Sequence, residues 1–264
     1  MTRVKILNLA IDNVSMQELL NDLERGVVFT PNADHFVQLQ HDQDFLKTYD
    51  GADYRVCDSR VVCYAARFLG VPLKEKISGS DLFPAFYNHH KDNPDITIFL
   101  LGALEGIAEQ ARQVINAHVG REMIVGTYSP PFGFEKDEAE CKRIIEKVHE
   151  SGATVLAVGL GAPKQEKFIV KHKVSMPGVK IFLAIGATID FEAGTLTRSP
   201  RWMSELGLEW AYRLMKEPKR LWKRYLLDDP TFIWMVIQQK LNRYRCPWRS
   251  QAPDLNVAVS RGKS

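Results

Sequence analysis

The chain has 264 residues, 45% hydrophobic and 25% charged, an ordinary balance for a globular protein with a sizeable core. That excludes disordered, collagen-like and low-complexity classes, and at roughly 150 residues per domain the length allows one large domain plus an appendage, or two small domains. The formal charge of +3, from 35 Lys+Arg against 32 Asp+Glu, points on its face to no polyanionic partner.

In chain order, apolar segments of strand length alternate with amphipathic segments of helical length. Strands are expected at Val4–Leu9, Val27–Thr30, Tyr54–Cys57, Ile96–Leu101, Glu122–Thr127, Thr154–Val158 and Lys180–Ile185. Helices are expected at Met16–Leu23, Asp34–Tyr49, Val61–Leu69, Asp81–His89, Leu104–His118, Asp137–Glu150 and Pro163–His172, with Pro163 as a first helical residue. Apolar runs separated by helices predict an α/β fold, a Rossmann-like, doubly wound and mostly parallel sheet, over residues 1–195. No further strand follows. Residues 196–264 read as an all-helical appendage of three pieces, Trp202–Lys216, Lys219–Leu227 and Phe232–Arg243, punctuated by Pro218 and Pro230.

The appendage changes the charge reading. From Thr195 onward there are 14 Lys+Arg and 6 Asp+Glu, a net of +8, while residues 1–194 hold 21 and 26, a net of −5. All five tryptophans (Trp202, Trp210, Trp222, Trp234 and Trp248) lie in the basic part. Arg213, Lys216, Arg220 and Arg224 recur at spacings of three to four, with Trp210, Leu214, Trp222 and Tyr225 interleaved. Such a pattern suits an interfacial membrane segment, a helix packed on the main domain, or a nucleic-acid contact, and composition does not choose between them.

Cys57, Cys63, Cys141 and Cys246 form no C-x-x-C pair and read as packing thiols in a reducing compartment. Met1–Leu9 lacks the features of a signal peptide, and the longest apolar runs, Ile96–Leu101 and Phe232–Ile237, fall short of the roughly 20 residues that span a bilayer. A cytoplasmic location is expected.

Ligands of open parallel sheets bind beyond the carboxyl ends of the strands. Those ends carry Thr30-Pro31-Asn32, Asp58-Ser59, Gly102, Gly126-Thr127, Gly159 through Gln165, and Gly186-Ala187-Thr188. Asp58, ending a short apolar strand, suits a general base partly desolvated at a cleft rim. Asp-Ser ahead of Arg60-Val61 fits a helix N-cap as well. Gly159–Gln165 resembles a phosphate loop but lacks the third glycine of the dinucleotide fingerprint and the G-K-[ST] of a P-loop. Asp42-Gln43-Asp44 matches a D-x-D pattern but lies inside an expected helix, where i and i+2 diverge. With no H-x-x-x-H pair among seven histidines, no metal site and no cofactor are expected.

Several stretches together resemble the WecG/TagA/CpsF bacterial glycosyltransferases: Thr30 through Asp34, the strand ending at Asp58, Gly79-Ser80-Asp81-Leu82, Val158 through Glu166, Gly186 through Phe191, Gly207-Leu208-Glu209-Trp210, Arg213-Leu214, Glu217-Pro218 and Arg224-Tyr225. They span about residues 4–227 in order. The resemblance implies transfer of a sugar from a UDP-sugar (UDP-glucose, UDP-N-acetylmannosamine or its uronic acid) to a polyprenyl-diphosphate-linked sugar, with inversion. The setting it implies is surface-antigen, teichoic acid or exopolysaccharide synthesis, by a peripheral protein at the cytoplasmic membrane face. Residues 1–195 become the nucleotide-sugar-binding catalytic domain and 196–264 a membrane-associating appendage.

Carried over residue by residue, Asp58 matches the family's base, and Thr30, Asn32 and Gln165 its polar active-site residues. Gly102, Gly159, Gly161, Lys164, Gly186 and Asp190 are expected to bind substrate, with Lys76 and the basic residues Arg213, Arg220 and Arg224. Ser59 stands where the family has Gly, and Lys76 where it has Arg, which loses the bidentate phosphate contact. Gly126–Phe134, with Pro130-Pro131, is unusual. These departures imply a branch with its own donor, such as the glucosyltransferases of xanthan-like exopolysaccharides. The competing readings are a nucleotide-dependent oxidoreductase and a non-enzymatic membrane or nucleic-acid binding module. The family reading expects no nucleic-acid partner and leaves a homo-oligomer open.

Overall fold

The computed structural model describes residues 2–197, 203, 209–216, 218 and 229–248. It opens with an antiparallel hairpin, β1 (Arg3–Ile6) and β2 (Leu9–Asp12), turned at Leu7 with φ 52°. The single strand expected over Val4–Leu9 is thus two, and neither joins the main sheet. The turn escapes a hydrophobicity reading because Leu7 is itself buried in the core. Asp12 ties the hairpin to the sheet edge: its carboxylate accepts from Arg3 Nε (2.8 Å) and from the Arg55 backbone N–H (2.8 Å).

The main sheet has six parallel strands, β3 (Gly26–Phe29), β4 (Tyr54–Arg55), β5 (Ile98–Gly102), β6 (Ile124–Tyr128), β7 (Val155–Gly159) and β8 (Ile181–Ala184), in the order β4-β3-β8-β7-β5-β6. Its side chains alternate between two cores, as a sheet covered on both faces requires. Phe99, Leu101, Leu156, Val158 and Phe182 enter one; Ile98, Leu100, Val155, Ala157 and Leu183 enter the other. The first core receives α2 (Ala33–Gln38), α3 (Gln43–Thr48), α4 (Arg60–Leu69), α7 (Glu138–Glu150), α8 (Lys164–His172) and the hairpin. The second receives α1 (Met16–Asp22), α5 (Gly79–His89), α6 (Ile107–Val119) and α9 (Thr188–Glu192). The α/β doubly wound expectation holds.

Local chemistry sets the helix starts. Ser15 and Glu18 form a reciprocal capping box on α1, and Asp137 caps α7 from just outside it. The helix expected over Asp34–Tyr49 is two, because Asp42 accepts from Phe45 N–H (2.8 Å) and starts α3 there. Asp42-Gln43-Asp44 is therefore a helix start, with Asp42 also paired to Lys167 at 2.6 Å. Pro163 sits at the N-cap of α8, one residue before its expected place, after a cis bond from Ala162. Cys57 and Cys63 are free thiols with their sulfurs 3.4 Å apart.

Beyond residue 197 the described helices are α10 (Glu209–Lys216) and α11 (Asp229–Lys240); the expected Lys219–Leu227 helix lies outside the described residues. α11 packs on α2 and α4, burying Phe232 against Phe36 with ring centroids 5.3 Å apart. Gln239 brackets the hairpin, accepting from Leu7 N–H (2.7 Å) and donating to Lys5 O (3.2 Å). Tyr244 OH donates to Gln40 (2.7 Å) and Trp248 Nε1 to Leu39 O (2.9 Å). Residues 229–248 are thus built into the first core.

Phe232→Ala should lower the unfolding free energy by about 3 kcal/mol or more, the usual cost of truncating a buried Phe. Urea unfolding of the full chain measures it, and a loss below about 1 kcal/mol would show that α11 contributes little to the core.

Candidate active site

The carboxyl ends of the strands meet where only glycines fit. Gly102 (φ 127°) would place a Cβ 2.3 Å from the Gly159 carbonyl oxygen, and Gly159 would place one 2.6 Å from the Gly186 oxygen. Both lie far inside contact distance, so backbone approach accounts for these two residues. The close approach draws the following loops together over β3, β8 and β7.

The 54–58 segment runs on past β4 as an extended ladder. Val56 N–H donates to Phe29 O (2.9 Å) and Asp58 N–H to Pro31 O (3.1 Å), while Cys57 O accepts from Ile77 N–H (2.7 Å). These bonds set Asp58, half-buried, beside Thr30 and Asn32. The N-cap of α4 is Ser59, whose side chain accepts from Val62 N–H (3.1 Å). The alternative role for Asp58 as that cap therefore falls to its neighbour.

A cavity of about 340 Å³ collects Asp58 with Thr30, Asn32, Gln165, Gly161 and Gly186. Asn32 caps α2 through its side-chain oxygen, which accepts from His35 N–H (3.2 Å); its Nδ2 has no protein partner among the described residues. Thr30 donates to Ala184 O (3.4 Å). Gln165 is held at both ends of its amide: Oε1 accepts from Gly186 N–H (3.1 Å) and Nε2 donates to Glu166 Oε1 (2.8 Å). One Nε2 hydrogen remains, so this residue offers the cavity a donor.

A second cavity of about 460 Å³ adjoins the first, sharing Gly161, Gly186 and Ala187. It includes Gly159, Lys164 and Asp190, with Pro130, Pro131 and Phe132 forming an apolar wall. Lys164 Nζ lies 3.1 Å from Glu135. Lys76 borders neither cavity and pairs with Asp81 at 2.8 Å. Gly102 supports the floor from outside both linings. Arg213 lies on α10; Arg220 and Arg224 lie outside the described residues.

Sequence reasoning missed three polar residues beneath the cleft. His35 lines it, with Nδ1 2.7 Å from the Tyr49 hydroxyl. Tyr49 is fully buried, and burial first, then the charges of Glu166 and Asp58, push its phenol well above the usual range. Glu166 is fully buried with Oε2 unpartnered, and desolvation raises its carboxyl to about 7. Its position three residues before the buried Ile169 was the available signal, since i and i+3 share a helix face. Among the described residues no three His, Cys, Asp or Glu side chains converge as a metal site would need.

The raised Glu166 carboxyl means that the folded state holds this proton more tightly than the unfolded chain does. Its contribution is fully present below the unfolded pKa, 4.5, and is lost as pH rises through about 7. Glu166→Gln should therefore gain stability relative to the parent between pH 5 and pH 8, by about 2–3 kcal/mol. Urea denaturation at the two pH values tests this; a constant difference would remove the raised pKa.

The family model described as "Glycosyl transferase WecG/TagA/CpsF family" matches residues 4–246. A relative from Bacillus spizizenii (strain W23) is 26% identical over 234 residues, covering 88% of this chain and 87% of its own length. One from Bacillus subtilis (strain 168) is 26% identical over 249 residues, covering 90% and 92%. Both are named N-acetylglucosaminyldiphosphoundecaprenol N-acetyl-beta-D-mannosaminyltransferase. The family model covers nearly the whole chain: the chain is a glycosyltransferase and belongs to the WecG/TagA/CpsF family.

Proposed function

We propose that the protein transfers a hexose, with inversion, from a UDP-sugar to a sugar carried on a polyprenyl diphosphate, at the inner face of the cell membrane. The observation that carries this reading is the placement of Asp58 among Thr30, Asn32 and Gln165 in a polar cavity continuous with a larger, more apolar one. The relatives' names point to a lipid-linked acceptor, and no described helix is long and apolar enough to cross a membrane. The enzyme then meets its acceptor from the membrane surface.

In this reading the larger cavity takes the nucleotide, with Pro130, Pro131 and Phe132 against the nucleoside and Asp190 at its polar end. The smaller one takes the reacting sugars. Asp58 removes the proton from the acceptor hydroxyl as its oxygen attacks the anomeric carbon. A single displacement from the face opposite the nucleotide inverts that carbon. The C–O bond to UDP breaks, and its electron pair leaves with the diphosphate.

The remaining Gln165 N–H and the Asn32 Nδ2 group orient sugar oxygens. The amino-terminal end of α8, Lys164 and the family's basic residues Arg213, Arg220 and Arg224 counter the charge that collects on the departing diphosphate. Aligned groups of this kind act strongly because they are fixed before the charge develops.

Asp58→Asn should lower kcat by about 100-fold or more, the usual range for loss of a positioned base, while UDP binding stays near the parental value. Turnover is measured by mass spectrometry of the lipid product from a panel of UDP-sugars and polyprenyl-diphosphate sugars, and UDP binding by calorimetry. Near-parental turnover would remove Asp58 as the base; no transfer from any donor by the parent would remove the reading itself.

A further inference from the structure

We propose that the joined outer faces of α4 and α11 are a docking surface for an anionic lipid bilayer. The inference rests on the membrane-surface reading above and names the part of the folded domain that meets the lipid. On α4, the stripe opposite buried Val62, Ala65 and Ala66 carries Tyr64 and Phe68, continued by Val71 just beyond the helix. Phe68 is 51% exposed. On α11, Phe232 and Val236 face the core, while Ile233, Trp234 and the following Leu241 face out, Trp234 at 60% exposure. Lys240 Nζ lies 5.7 Å above the Phe68 ring, so the two stripes form one surface.

The charge on this surface is predominantly positive. Asp229, at the start of α11, is the one acidic residue of the two helices; residues 60–71 and 230–248 contain no Asp or Glu, but they do contain Arg60, Arg67, Lys240, Arg243 and Arg245. All five are exposed. Aromatic and aliphatic side chains framed by basic ones are what the interface of an anionic membrane accepts: rings and alkyl groups enter the acyl boundary, and the cations meet headgroups.

A second copy of this chain fits less well. A two-fold contact presents the same patch twice, setting five cations against five. Nucleic acid would use the cations and rings but leave Val71, Ile233 and Leu241 without a role. The surface also begins at the site, since α4 starts two residues after Asp58. Docking there would bring the cleft mouth to the headgroup layer, where a polyprenyl carrier holds its diphosphate.

The test uses the full chain and its Phe68→Glu/Trp234→Glu double variant. Each is co-sedimented with vesicles of phosphatidylcholine alone and of equal parts phosphatidylcholine and phosphatidylglycerol. The parent should bind the mixed vesicles far better than the neutral ones. The double variant should bind the mixed vesicles about tenfold more weakly or less, with its urea midpoint unchanged because both sites are exposed. An Arg67→Glu/Arg243→Glu variant should lose the preference for phosphatidylglycerol.

Equal vesicle binding by parent and Phe68→Glu/Trp234→Glu would overturn the proposal. So would a parental dimer that this variant abolishes, or parental binding to oligonucleotides with none to vesicles. Transfer to a short-chain, water-soluble acceptor is assayed in parallel. No transfer by the parent, with vesicle binding still lost in the variant, would sink the proposed donor and acceptor and leave the docking surface standing. Normal transfer by both proteins, with equal vesicle binding, would do the reverse.

Discussion

The site depends on how closely the carboxyl ends of β5, β7 and β8 approach one another. Gly102, Gly159 and Gly186 succeed each other across those strands, and a side chain on either of the first two would collide with the next carbonyl. Because the backbones touch, the β7–α8 and β8–α9 loops converge on the loop after β3 and on the 56–58 ladder. Four segments far apart in the chain then contribute Thr30, Asp58, Gln165 and Gly186 to one cavity. An acid at the end of a two-residue strand would otherwise be loosely placed; the bonds to Phe29, Pro31 and Ile77 make it part of the sheet.

Beneath this cleft lies a group of buried polar side chains. Thr30, Asn32, His35, Gln165, Glu166 and Thr188 are all buried. Burying such groups is costly unless they are hydrogen-bonded, and most are. Asn32 serves a helix cap, Thr188 bonds the Ile185 carbonyl, and the Gln165 amide joins α8 to the Gly186 backbone. Glu166 keeps one oxygen unpartnered, and desolvation raises its carboxyl to about 7. Thr30, Asn32 and Gln165, which face the cavity, are each tied to the backbone by a hydrogen bond.

The carboxyl-terminal region joins two roles that its composition left separate. α11 buries Phe232 and Val236 and holds the amino-terminal hairpin through Gln239, so it supports the fold. Its opposite edge leaves Ile233 and Trp234 exposed beside the α4 stripe. One helix thus serves the core with one face and, with the other, sets Trp234 and Lys240 beside the α4 stripe. The total of +3 conceals this arrangement because the acidic residues lie mostly before residue 195.

Alternating apolar and amphipathic segments determined the α/β fold, since strands buried on both faces must be apolar at successive positions. Motif order determined the family, and glycines and small polar residues after strands marked the end of the sheet where the cleft lies. Tertiary structure decided what depends on contacts between distant residues. The Leu7 turn was hidden because its side chain is buried, and the break before Gln43 because a local cap overrides a continuous apolar pattern. Within the expected appendage, the packing of α11 on Phe36 and its bond to the hairpin join residues far apart in the chain, and no local spacing records them. Lys76, assigned by position in a motif, pairs with Asp81 outside both cavities, whereas His35 and Glu166 enter the floor from positions no spacing had marked. Sequence records which side chains a segment carries along its own axis; which of them meet across the sheet follows from strand order and backbone approach, and those are settled only when the chain packs.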